Sequence, residues 1–194
     1  MIAKEWELHL RSVMIHPSIR TKRLALTPYA MRDVDELHRV MSNQEVMQHI
    51  GKGVLTRPEV QDIVSRVVSG WNETGMGWWT IRLKANNHLI GQICLRPEKD
   101  LAEIAVGYAL DAAFWRQGYA REALEAVVAY GFNEKLVDRI VAVVRAENTG
   151  SRSLLERCGF TQEPDVIVGA RTRCLYSTTA GGRVRPAAAA SQRR

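Results

Sequence analysis

The sequence is short of the residues that build stapled, metal-bound or membrane-spanning proteins. It holds 3 cysteines in 194 residues. Cys94, Cys158 and Cys174 are far apart, odd in number and match no CxxC or Cys/His spacing, which argues against a disulfide framework and points to reduced, packed thiols. The 5 histidines (His9, His16, His38, His49 and His88) show no HxxxH pairing, so no metal site is expected. No apolar run approaches the roughly 18–20 residues needed to span a bilayer. Met1 to Arg11 carries Lys4, Glu5, Glu7 and Arg11 where a signal peptide would be apolar. The expected compartment is the cytoplasm, with no membrane partner.

What is present is the ordinary material of one domain. Apolar residues make up 46% and charged residues 25%, enough for a real core and against a disordered chain. Net charge is +6, but its location matters. Ala180 to Arg194 contains four arginines and no acid; without it, 23 basic residues face 21 acidic ones. The basic excess is a tail property. A leader (1–18), a domain (19–179) and a basic, non-periodic tail (180–194) are expected. The tail offers a polyanion such as RNA only weak contact, and its bland reading is a solvated segment.

Periodicity marks the elements. Arg23–Thr27 alternates like a strand, and Asp33–Met41 has helical spacing. Thr56-Arg-Pro-Glu59 has the form of a capping box before a helix that carries Val60, Ile63, Val64, Val67, Val68 and Trp71 on one face. Gly75 and Gly77 break the chain. Trp78–Leu83 and Leu89–Leu95 read as a hairpin around Asn86-Asn87. Glu103–Leu110 reads as a strand, Ala120–Lys135 as a helix and Arg139–Val144 as a buried strand. Ser151–Cys158 reads as a helix stopped by Gly159. Val166–Val168 and Arg173–Ser177 are candidate last strands. Antiparallel strands followed by strand–helix–strand–helix imply an α+β domain with a mixed sheet.

Two segments carry chemistry. In Trp115-Arg-Gln-Gly-Tyr-Ala-Arg121 a short loop opens a helix. Free N–H groups and the helix dipole favour an anion there, small residues admit it, and Arg116 and Arg121 add charge. The same segment also reads as an ordinary glycine loop. In Asn148-Thr-Gly-Ser151 the asparagine can tie down a loop and Ser151 can cap a helix, a purely structural role.

Taken together and in this order, these motifs resemble the GNAT superfamily of acetyl-CoA-dependent N-acetyltransferases, and most closely its ribosomal-protein alanine N-acetyltransferase branch. The resemblance runs from about Thr21 to Ser177. It includes Thr21-Lys-Arg-Leu-Ala-Leu26, the Gly-Trp-Trp strand at 77–79, Leu-Ile-Gly at 89–91, Gly-Tyr-Ala-Leu at 107–110, Trp115 to Ala120, and Asn148 through Gly159-Phe160. It implies a mixed, mostly antiparallel sheet of about six or seven strands, splayed in the middle and flanked by about four helices.

The resemblance also implies residue roles. Amides from Arg116, Gln117, Gly118, Tyr119, Ala120 and Arg121 would hold the CoA diphosphate. Ala109 and Leu110 would pair with the pantetheine arm, and Asn148, Ser151 and Leu155 would line its other side. No metal is implied.

Acylating an amine requires a proton acceptor and relief of charge on the leaving thiolate. Glu103, on the strand leading to Leu110 and on one face with Ala105 and Gly107, is the candidate base; relatives carry their acid one strand repeat later, in the slot Ala105 holds here, and the bland reading of Glu103 is a solvated strand-end charge. The slot where relatives place a tyrosine acid is Leu155, so Ser151 is the next candidate. Trp71, Trp78, Trp79 and His49 fall where relatives border the acceptor, and the tryptophans are also ordinary core residues. The expected function is direct acetyl transfer in a ternary complex to a protein N-terminal α-amine. A small-molecule amine or a non-catalytic acyl-CoA sensor are the alternatives. A homodimer is left open.

Overall fold

Alternating apolar residues in the strands and 3.6-residue periodicity in the helices sort the chain into one sheet with helices on both faces. The structure is a computed structural model that describes residues 17–70, 76–134 and 137–181. Trp71, Gly75, Lys135, most of the leader and the tail beyond Gly181 lie outside the described residues.

The strands are β1 (Ile19–Arg20), β2 (Leu24–Pro28), β3 (Trp78–Leu83), β4 (Leu89–Glu98), β5 (Glu103–Leu110), β6 (Arg139–Val144), β7 (Thr161–Val168) and β8 (Arg171–Thr179). They form one eight-stranded sheet in the order β1-β2-β3-β4-β5-β6-β8-β7. The helices of four or more residues are α1 (Val34–Met41), α2 (Gln44–Met47), α3 (Arg57–Gly70), α4 (Tyr119–Asn133) and α5 (Thr149–Arg157). The strand beyond the expected six or seven is β1, two residues long. The helix beyond the expected four is α2, four residues capped by the Asn43 side chain. Both are too short to leave a periodic signal.

The Glu59 half of the capping box forms: its carboxylate accepts from the Thr56 N–H and hydroxyl, each at 2.8 Å. One sheet face packs on α4 and α5. Leu95, Val106 and Leu110 meet Ala123, Leu124, Val127 and Leu155 there, around a fully buried Trp79. Each large apolar side chain withdrawn from water in this way contributes about 1.5–3 kcal/mol. The other face is covered by α1–α3 only over the β3–β5 side, through Leu37, Val40, Val60 and Val64 against Leu89 and Ala109. Further along that face, Ala105, Val141 and Leu175 cluster with Leu101, Val143 and Val166, none of them from a helix.

Every neighbouring pair of strands is antiparallel except β5 and β6. These two run parallel and are joined at a single register pair, Ala105 and Val141. Beyond it they part, so the sheet splits between β5 and β6 at their C-terminal ends.

Candidate active site

The split is a cleft of about 340 Å³. Val106, Gly107 and Tyr108 of β5 form one wall, and Ala142 to Val144 of β6 the other. Asn148 and Ser151 close it on the α5 side; Trp78, Cys94, Arg96 and Glu98 line it on the opposite face, with His49 and Gly51 above and Val168 and Arg173 from the β7–β8 hairpin. Asp111 N donates to Ile90 O, so alternation along the β4–β5 ladder turns the N–H and C=O groups of Tyr108 toward β6. Those groups face the cleft. Ala109 instead turns its carbonyl toward β4: a Cβ on Gly91 would lie 2.4 Å from that oxygen. The Leu110 carbonyl accepts the Trp115 indole N–H at 2.8 Å. Of the expected arm-pairing region, the geometry therefore offers Tyr108 rather than Ala109.

The loop that follows β5 has the form of an anion cradle. Arg116 (φ 59°) and Gly118 (φ 80°) are both left-handed, which turns successive N–H groups to one side. Gly118 is the N-cap of α4 and brings no capping side chain. The first intrahelical bond of α4 runs from the Glu122 N–H to the Gly118 carbonyl at 3.1 Å, so the first-turn N–H groups of Tyr119, Ala120 and Arg121 have no acceptor within the helix. Those orphaned donors, at the positive end of a 15-residue helix, fit a diphosphate. The Arg121 side chain pairs with Glu125 one turn on, 2.8 Å away. The Gln117 side-chain Nε2 donates to Ala113 O at 2.9 Å.

Across the cleft, Asn148 rather than Ser151 caps α5: its Oδ1 accepts the Ser151 N–H at 3.1 Å. The Ser151 hydroxyl is thereby free of the capping role and lies 2.8 Å from the Tyr108 hydroxyl. This pair ties β5 to the start of α5 over the split. Burial pushes the Tyr108 phenol well above its ordinary value, countered only in part by the Ser151 hydrogen bond. Leu155, expected against the arm, is fully buried in the core instead. It lies one turn beyond Ser151 on the same face of α5, deeper in the core and outside the lining of the cleft.

Glu103 is engaged elsewhere. It accepts from Arg139 Nε at 3.0 Å, at the end where β5 and β6 are still paired, and it does not line the cleft. The carboxylate that does is Glu98, directly across the ladder from it. Glu98 pairs with Arg96 at 3.0 Å. No periodic feature of the chain singles out Glu98, since only the register of β4 against β5 places it. Trp79 is core; Trp78 lines the cleft. Arg145 holds the loop above the cleft by donating to the carbonyls of Gln48 (3.1 Å) and Gly51 (2.6 Å), which sets His49 over the opening. Among the described residues no group of three or more His, Cys, Asp or Glu is placed to hold a metal.

Residues 23–161 match the acetyltransferase (GNAT) domain family. The chain belongs to the GNAT acetyltransferase family. Among curated relatives it is 30% identical to the N-acetyltransferase YoaA of Bacillus subtilis, over 76% of this chain and 84% of the relative. Among solved structures, an acetyltransferase of Agrobacterium tumefaciens is 27% identical, with a TM-score of 0.74 over 84% of this chain and 94% of that one. The fold is also shared, at 20% identity and a TM-score of 0.71, by RimL, the ribosomal L7/L12 alpha-N-protein acetyltransferase, which was solved with coenzyme A; 84% of this chain and 98% of RimL are covered. The GNAT chain is thus an acetyl-CoA-dependent N-acetyltransferase. Among the described residues, no helix is long and apolar enough to cross a membrane.

Proposed function

We propose that this acetyltransferase acylates the N-terminal α-amine of a protein by direct attack in a ternary complex. The observation that carries the reading is the shape of the cleft on the acceptor face. It is flanked by the Ile50–Gly51 loop and by Val168 of the β7–β8 hairpin, and no described helix lies over the Ala105, Val141 and Leu175 patch beside it. A groove of that form accommodates an extended chain end better than an enclosed small molecule. RimL, a ribosomal L7/L12 alpha-N-protein acetyltransferase of the same fold, supports the reading.

Acetyl-CoA supplies an activated thioester. The amides of Arg116 to Arg121 hold its diphosphate, the cleft-facing backbone of Tyr108 pairs with its arm, and Asn148 and Ser151 flank that arm. Glu98, from the open face, takes the proton the amine must lose as the N–C bond forms, directly or through a water. The C–S bond breaks beside the Tyr108 and Ser151 hydroxyls. A phenol raised above its ordinary value is a poorer acid than a CoA thiol with a pKa of about 8.5. The hydroxyl pair therefore stabilises the departing thiolate by hydrogen bonding instead of surrendering a proton to it.

Direct transfer is favoured over an acetyl-cysteine relay. Cys94 lines the cleft but is 1% exposed, and burial pushes its thiol up to about 11, which leaves almost no thiolate to act as a carrier.

The test is thiol release from acetyl-CoA against three acceptor panels: peptides with free N-termini, the same peptides blocked at the N-terminus but carrying lysine, and small amines. Turnover confined to free-N-terminus peptides is expected. Turnover confined to small amines would reassign the acceptor, and coenzyme A binding without turnover on any panel would make the protein a sensor.

A further inference from the structure

The Thr21-Lys-Arg-Leu opening has no part in the cleft, yet Arg23 makes an unusual set of contacts for a side chain 40% exposed. Its Nε pairs with Glu122 Oε2 at 2.7 Å, and its own backbone N–H donates to Glu122 Oε1 at 2.7 Å. The Thr21 hydroxyl donates to the same oxygen. One acid on the first turn of α4 is thus held by three donors from the turn that leads into β2. The guanidinium then runs along the loop: Nη1 donates to the Gln117 carbonyl at 3.0 Å, and the group lies 4.2 Å over the Tyr119 ring. Its Nη2 is 3.3 Å from where a Cβ on Gly118 would sit.

The contact with Gln117 has a consequence for the cradle. The Gln117 carbonyl and the Gly118 N–H belong to the same planar peptide unit, and in a trans peptide they point in opposite directions. A guanidinium that fixes the carbonyl therefore fixes the amide, aiming it away from Arg23. Gly118 carries no side chain that would hold the peptide plane, and at a glycine in a left-handed conformation the backbone is otherwise free to rotate.

We propose that Arg23, anchored by Glu122, is a positioning residue for the diphosphate of coenzyme A: it locks the Gln117–Gly118 peptide so that the Gly118 N–H points into the cradle. The role depends on the planar fork, because one guanidinium must reach Glu122, the Gln117 carbonyl and the Tyr119 ring together. The compact ammonium of lysine cannot do this. The proposal rests on the assignment of residues 116–121 as the diphosphate site.

The test compares two ligands in the full-length chain: coenzyme A, by calorimetry, and pantetheine, which is the same arm without the diphosphate and its nucleoside, by ligand-detected NMR. Arg23→Met and Arg23→Lys are each expected to weaken coenzyme A binding about tenfold, the cost of a slightly misplaced donor. Pantetheine binding should stay within twofold of wild type. Glu122→Gln, which keeps volume and loses the charged anchor, should show the same selectivity at smaller amplitude, which keeps the test decisive if the Arg23 variants fold poorly. Unchanged coenzyme A affinity in Arg23→Met, equal losses for both ligands, or full retention in Arg23→Lys would each overturn the proposal. Gly118→Asp separates the two levels. If it leaves coenzyme A binding intact, the diphosphate site itself is misassigned; if it abolishes binding while the Arg23 variants bind normally, only the positioning role fails.

Discussion

At the residue scale, the chemistry turns on which side chains have free polar atoms inside the split. Ser151 and Glu103 both stand in segments the sequence marks as important, and their fates differ because of their partners. Asn148 takes over the cap, which frees the Ser151 hydroxyl for Tyr108. Arg139 takes Glu103 and leaves Glu98 as the acid beside the cleft. Glu98→Gln should therefore lower kcat/KM for the amine about a hundredfold, the usual scale for losing a general base. Glu103→Gln should stay within about threefold of wild type. Steady-state kinetics on the best acceptor decides between them, and the reverse ranking would restore Glu103 as the proton acceptor.

At the element scale, the split exists because β5 is tied tightly to β4 and barely at all to β6. At Gly91 β4 and β5 leave no room for a side chain: a methyl group there would meet the Ala109 carbonyl oxygen at 2.4 Å and the Leu110 Cα at 3.0 Å, both backbone atoms that a rotamer change cannot move. Gly91→Ala should cost about 2–3 kcal/mol as overpacking and lower the melting temperature by roughly 5–10 °C. Thermal unfolding followed by circular dichroism tests it. A melt within 2 °C of wild type, an order-of-magnitude tolerance on that scale, would mean the strand end relaxes at little cost. The Leu-Ile-Gly signature at 89–91 thus carries a steric requirement at the very strand end that leads into the cradle. α4 shows a second such dependence, since its first turn is anchored by β2 through Glu122 and Arg23 rather than by a capping side chain of its own.

At the scale of the whole molecule, the sheet is covered by helices on one face and only in part on the other, and a polar network occupies some of the uncovered part. Arg139 binds Glu163 through both terminal guanidinium nitrogens, at 2.8 and 2.9 Å, and reaches Glu103 with its Nε. The Arg139 hydrogen bonds, then that of Ser177, hold the Glu163 carboxyl down from an ordinary 4.5 to about 2. A carboxyl whose folded value is depressed contributes stability that is fully present above its unfolded value and is lost as pH falls through the folded one. The stability difference between wild type and Glu163→Gln should therefore be largest above about pH 4.5 and close as pH approaches 2. Urea unfolding across that range measures it, and a gap independent of pH would show that the network contributes nothing through ionisation. Because the groups are partly exposed, added salt should reduce the gap.

The sequence by itself determined the longer elements and the family, but not the two-residue β1 or the four-residue α2. Leu24 to Leu26, the apolar face of α3, the strands around Trp79 and the Gly118 loop have periods and turn residues that few folds accommodate, and local hydrogen-bonding rules act over only a few positions. Even the capping box at Thr56 and Glu59 was legible for that reason. Tertiary structure alone decided which of these residues meet. Glu98 rather than Glu103 at the cleft, Tyr108 against Ser151, Leu155 turned into the core, and Arg23 on the far-off Gln117 carbonyl all depend on strand register and on contacts between residues 43 to 94 positions apart or across a ladder. A single-residue shift of register would exchange the two faces of a strand, and no local pattern in the chain encodes that choice.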